Sequence, residues 1–260
     1  MQHAIIIIPK QNQKLSANIK EQNTTYSADT VVMNGFVAYD SIISKKRPAI
    51  IVIPEWWGLN NYAKSRAKQL ASLGYVAMAI DLYGNGCVAD NPDTAEILSM
   101  PFYYNPIMAK NRFDAALARL KTYSQVDTNN IAAIGYCFGG AQVINIANLG
   151  EDLKGIVCFH GNVIAGIPVD KQLLKAKVLV CNGAADEFVK MAEIELFKKK
   201  MDSIGADYTV KLYPNATHAF TNPEATAMGK KFNLPIAYNA AADSASWQDM
   251  KLFLKNIFKL

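Results

Sequence analysis

Hydrophobic and polar positions along the chain alternate between two periods. Residues 49–55 (AIIVIPE) form an uninterrupted apolar, β-branched run, which predicts a strand buried on both faces. Residues 60–73 then space their apolar positions as a helix does, and Gly74 supplies a stop. The same alternation recurs. Residues 75–81 (YVAMAID) read as a strand and 107–123 as a helix, after a loop broken by Gly and Pro. Strands follow at 131–136, 155–160, 177–182 and 208–213, with helices at 139–149, 189–204 and 244–258. Strands separated by helices of 10–17 residues predict an α/β fold, a mostly parallel sheet with helices on both faces. Residues 26–39, with Asn34-Gly35 as the turn, are expected to add an antiparallel edge. Residues 1–25 read as an N-terminal extension, with Ile5 to Ile8 as an edge strand or loose tail, and 26–260 as a single domain.

Composition narrows the function classes. The 260 residues are 51% hydrophobic and 19% charged, which excludes a disordered or collagenous chain. The net charge of +5 is carried mainly by Lys, since only four of the 27 basic residues are Arg. Nucleic-acid and phosphate sites favour the planar, bidentate Arg, so no nucleic-acid partner is expected. No apolar run reaches the length of a membrane span. The start of the chain has neither a basic n-region nor a full apolar h-region. A cytoplasmic protein is the first expectation. Four scattered Cys form neither a disulfide framework nor a zinc cluster, and no metal or organic cofactor is expected.

The candidate chemistry lies where strands end. Gly135-Tyr136-Cys137-Phe138-Gly139 joins a predicted strand to a predicted helix, the context that a nucleophile elbow requires. Glycines two residues before and after Cys137 leave room for a tight turn. The helix behind it offers free N–H groups and a positive dipole end, which favour a thiolate. An orienting acid and then a His should follow in chain order. Asp186 and His218, just after the strands at 177–182 and 208–213, fit that order. Glu187 neighbours Asp186 and is the weaker candidate. His160 ends a strand but precedes the acid, and reads as a strand-end hydrogen-bonding residue. Cys158 and Cys181 lie inside apolar strands and read as core, and Cys87 as a loop thiol. At 53–58 (IPEWWG) the backbone N–H groups of Trp56 and Phe138 are placed to bind an oxyanion, and Glu55 sits near the elbow. Trp57, Tyr83 and Phe220 are expected as substrate-pocket walls.

The segments PEWWGLN, YVAMAIDLYG, IAAIGYCFGG and THAFTNP together resemble the dienelactone hydrolase family of α/β-hydrolases, from about residue 26 to the C-terminus. The resemblance implies an α/β-hydrolase fold with little or no cap. It also implies a triad of Cys137, His218 and Asp186, with a Glu, here Glu55, that helps to activate the thiol. The substrate would be a small ester or lactone, opened through an acyl-thioester. A thioesterase or acyltransferase on the same triad is the alternative chemistry. A silent binding or thiol-sensing protein is the alternative class. Dienelactone hydrolases proper clamp a substrate carboxylate with two arginines. Neither 82–86 (LYGNG) nor 219–222 (AFTN) holds one here, although Lys230 and Lys231 follow the second segment. Some relatives of this type look exported, so a periplasmic location is the alternative expectation.

Overall fold

A computed structural model of the protein describes residues 17–164 and 166–260; the Ile5 to Ile8 run lies outside them. The described chain runs β1 (Ile19–Ala28), β2 (Val31–Asp40), β3 (Arg47–Ile53), α1 (Asn61–Ser72), β4 (Val76–Ala79), α2 (Pro92–Tyr104), α3 (Pro106–Lys121), β5 (Val126–Tyr136), α4 (Phe138–Asn148), β6 (Gly155–Phe159), β7 (Lys177–Gly183), α5 (Met191–Ile204), β8 (Tyr208–Tyr213), α6 (Ala225–Phe232) and α7 (Ala240–Phe258). The sheet order is β1-β2-β4-β3-β5-β6-β7-β8. β1, β2 and β4 pair antiparallel, and every pair from β4/β3 to β7/β8 is parallel. This is the architecture of an α/β-hydrolase.

The apolar runs divide between two cores by strand alternation. In β3, Ala49, Ile51 and Ile53 face a core shared with α3, α4 and α5, while Ile50 and Val52 face one shared with α1 and α7. A strand sandwiched this way has no wet face, which is why its sequence lacks polar interruptions.

Three expectations need correction. The front hairpin turns at Asp29-Thr30 rather than at Asn34-Gly35, and β1 begins at Ile19, inside the stretch read as an extension. Its sequence, IKEQNTTYSA, is polar because much of this edge strand is exposed, so it lacks a hydrophobic signature. Helix α2 lies where a loop was expected, and α6 in a stretch to which no element was assigned. Pro92 and Pro101 read as breakers, yet Pro92 occupies the first turn behind the Asn91 cap, where a missing N–H costs nothing. Both helices shape the site.

Candidate active site

β3 sends its chain to β4 on one side while β5 lies on its other, so the loops after β3 and β5 part company. Open α/β sheets bind ligands in the crevice left at such a point, beyond the carboxyl ends of the strands. Ile53 pairs with Gly135 at the ends of these two strands. Glu55 and Cys137, each two residues further on, line one cavity of about 320 Å³.

Cys137 has φ 51° and ψ −115°, a positive φ that a β-carbon disfavours. The turn is closed tightly enough that a β-carbon on Gly135 would lie 1.9 Å from the Gly139 carbonyl oxygen. One on Gly139 would lie 2.3 Å from that of Ile53. Both glycines are therefore required by close approach. Phe138 opens α4, so its N–H has no partner one turn earlier. Neither that N–H nor the N–H of Trp56 donates a hydrogen bond among the described residues. The backbone at Trp56 is held by the Tyr83 hydroxyl, which donates to its carbonyl at 2.8 Å.

His218 follows β8, and Asp186 follows β7. The Nδ1 of His218 lies 3.0 Å from Asp186 Oδ2. A carboxylate only accepts, so Nδ1 carries the proton and Nε2 is left for the cavity. The other carboxylate oxygen accepts the N–H groups of Phe188 and Val189 at 2.9 and 3.0 Å. Glu187, the weaker candidate for this role, is exposed. Burial alone would lower the His218 pKa, but its interactions with Cys137 and with Asp186 outweigh it and push it up to about 10.

Glu55 is only 3% exposed. Its Oε2 accepts the Asn222 side-chain N–H at 2.7 Å, while Asn222 Oδ1 accepts the N–H of Glu224 at 3.0 Å. The second bond fixes which way round the amide lies. Burial pushes the Glu55 carboxyl up to about 7, with the Asn222 hydrogen bond pulling the other way. Asn222 has no motif to announce it in the sequence.

Trp56 and Trp57 line the cavity, and Trp57 stacks on Phe232 of α6. Tyr83 does not line it; its ring lies behind the β3 loop against Phe102 and Phe138. Phe220 is fully buried against Tyr213 and His160, because the chain reverses at Ala219 (φ 56°) and sends the next ring into the core. The walls missed from the sequence are Glu96, Ser99, Met100 and Tyr103 on α2, Phe188 and Val189 beside Asp186, and Leu234 and Ile236 after α6. Four of these sit on α2, the helix that prolines disguised.

Among the described residues no Lys or Arg lines the cavity, and Glu55 and Glu96 do. The arginines are structural. Arg112 donates to the carbonyls of Leu82 and Tyr83, which braces the loop after β4. Arg66 pairs with Asp243 at 2.5 Å. Cys158 and Cys181 are buried and Cys87 is exposed.

Comparisons with known proteins agree with this geometry. Residues 33–258 match the model of the dienelactone hydrolase family. The chain is 33% identical over 180 residues to Protein usf of Aquifex pyrophilus, covering 67% of this chain and 77% of that protein. It is 28% identical over 206 residues to an Aquifex aeolicus protein named "Putative carboxymethylenebutenolidase", covering 77% and 87%. Among solved structures it matches the "Dienelactone Hydrolase-like Promiscuous Phospotriesterase P91 from Metagenomic Libraries" with TM-score 0.87 and 32% identity, over 92% of this chain and 98% of that one.

Proposed function

The chain belongs to the dienelactone hydrolase family of carboxylic-ester hydrolases, and we propose that it opens small uncharged esters or lactones through an acyl-thioester on Cys137. The Cys137 thiolate attacks the carbonyl carbon, forming the S–C bond as the carbonyl oxygen takes the charge. The N–H groups of Phe138 and Trp56 receive that oxyanion. The imidazolium of His218 then protonates the leaving alkoxide as the C–O bond breaks. A water, deprotonated by His218, attacks the thioester and releases the carboxylic acid and the thiolate. Asp186 holds the ring in one tautomer throughout. The proton that His218 delivers is the one the Cys137 thiol gives up: Glu55 accepts it when substrate enters and passes it to His218.

The observation that carries this reading is the convergence of Cys137, His218 and Glu55 on one cavity, with Asp186 bonded behind the His. Its arginine-free lining supports an uncharged substrate, since a buried carboxylate without a cation loses its solvation uncompensated. The description of P91 as a promiscuous phosphotriesterase adds neutral phosphotriesters to the substrates worth assaying.

The experiment is a panel of p-nitrophenyl acetate, a neutral lactone, a carboxylate-bearing lactone and a neutral phosphotriester, run on wild type, His218→Ala and Asp186→Asn. Wild type should release p-nitrophenol with turnover. His218→Ala should lose roughly 10³-fold or more in kcat with the fold intact, and Asp186→Asn less. Stoichiometric release without turnover would instead support the thiol-sensing alternative.

A further inference from the structure

His160 is a second buried histidine that the reaction above does not use. It follows β6 at φ 41°, a left-handed conformation that a non-glycine residue keeps only when its surroundings hold it. Its ring is fully buried and meets the His218 ring edge to face, with centroids 5.2 Å apart at 67°. Its Nε2 lies 2.7 Å from the Thr221 hydroxyl, and that hydroxyl lies 2.6 Å from the Tyr62 hydroxyl. Arg66 Nε donates to the Tyr62 oxygen at 3.4 Å, and Arg66 Nη2 donates to the Thr221 carbonyl and to Asp243.

The direction of this chain follows from what each group can do. Arg66 has donors only, so the Tyr62 oxygen accepts from it and sends its own proton to Thr221. Thr221 then sends its proton to His160 Nε2. His160 ends the chain as an acceptor, neutral, with its proton on Nδ1. Burial, followed by the nearby charges of His218 and Arg66, holds its pKa well below the usual histidine range. A neutral ring is what the site requires, because a second imidazolium 5 Å away would repel the one that forms on His218.

We propose that Thr221 and His160 are positioning residues: the Thr221 hydroxyl locks the His160 ring, and that ring backs His218 so that its Nδ1 stays on Asp186 while its Nε2 faces Cys137. Thr221 lies three residues after His218 in the same loop, so one anchor fixes both the loop and the ring beneath it. This inference rests on the assignment of His218 as the base.

The test compares Thr221→Val, which keeps the shape and removes the hydroxyl, with Thr221→Ser, which restores it, and with His218→Ala. Thr221→Val should lower kcat about tenfold with KM within about twofold, inside the ~100-fold that misplacing a catalytic group costs. Thr221→Ser should recover most of the loss. An unchanged kcat in Thr221→Val, with His218→Ala inactive, overturns this inference alone. A mild His218→Ala overturns the base assignment beneath it. Independently of any variant, two-bond proton–nitrogen correlation spectra of the wild-type protein at neutral pH should show His160 as the Nδ1–H tautomer. An Nε2–H or doubly protonated His160 contradicts the proposal even if Thr221→Val fails to fold.

Discussion

At the scale of single residues, Glu55 gives the sharpest consequences. Its carboxyl is fully buried and pushed from 4.5 to about 7. Between those values the folded protein holds a proton that the unfolded chain has released, so stability falls as pH rises through this window. A shift of this size corresponds to about 3 kcal/mol. Glu55→Gln should therefore raise the unfolding free energy, read from urea titration, by up to that amount at pH 8 and have little effect at pH 4. An equal change at both pH values would contradict the buried ionisation. The same variant should split two rates. Iodoacetamide should label Cys137 equally fast or faster, because a negative neighbour is gone, while kcat falls by roughly 10²–10⁴-fold if Glu55 accepts the thiol proton. Misfolding would slow both. Cys137 should also label before Cys87, which is exposed but has no His partner; Cys158 and Cys181, both buried with their thiols pushed up, should react last. Cys137, Asp186 and His218 were legible in the sequence because the elbow glycines and strand-end positions mark them. Asn222 and Phe188 were not, since an amide or a ring after a turn has no pattern that distinguishes it from a surface residue.

At the scale of elements, the elbow depends on how closely α4 approaches the end of β3. A β-carbon on Gly139 would lie 2.3 and 2.5 Å from the carbonyl oxygens of Ile53 and Pro54. Both are backbone atoms, so relief requires moving α4 away from the strand end whose following loop carries Trp56. Gly139→Ala should cost about 1–3 kcal/mol in urea unfolding and lower kcat further than stability alone explains, because the Phe138 and Trp56 N–H groups would separate. Gly205, at the end of α5 with φ 65° and nothing within 4 Å, is the control. Gly205→Ala should cost about 1–2 kcal/mol of backbone strain and leave kcat unchanged. The central parallel strands were readable because burial on both faces writes them as pure apolar runs. α2 and α6 were hidden because each must cover a cavity instead of the core. Exposed Ile97 and Tyr104 on α2 break the helical stripe, and Pro101 interrupts it.

At the scale of the whole molecule, the net charge and the site disagree in sign. The chain carries +5 overall, yet among the described residues two carboxylates and no Lys or Arg line its cavity. Lys230 and Lys231, which follow the His218 loop, stay outside that lining, and Lys231 lies over Phe232, 4.7 Å from the ring centroid. A neutral lactone should therefore be hydrolysed at least as well as its carboxylate analogue. A strong preference for the carboxylate, abolished by removing those two lysines, would show a cation reaching the mouth in solution. The fold class follows from alternation along the entire sequence, whereas cavity charge depends on which side chains point inward, and only the packed structure decides that. The claim on which the rest depends is covalent catalysis at Cys137. It is tested most directly by mixing the enzyme with p-nitrophenyl acetate, quenching in acid within the first turnover, and mapping the adduct by peptide mass spectrometry. The account predicts one acetyl group on the Cys137 peptide, appearing with the burst and absent from Cys137→Ala, which should be inactive. Full turnover by Cys137→Ala, or a burst whose acetyl group sits on another residue, would contradict it.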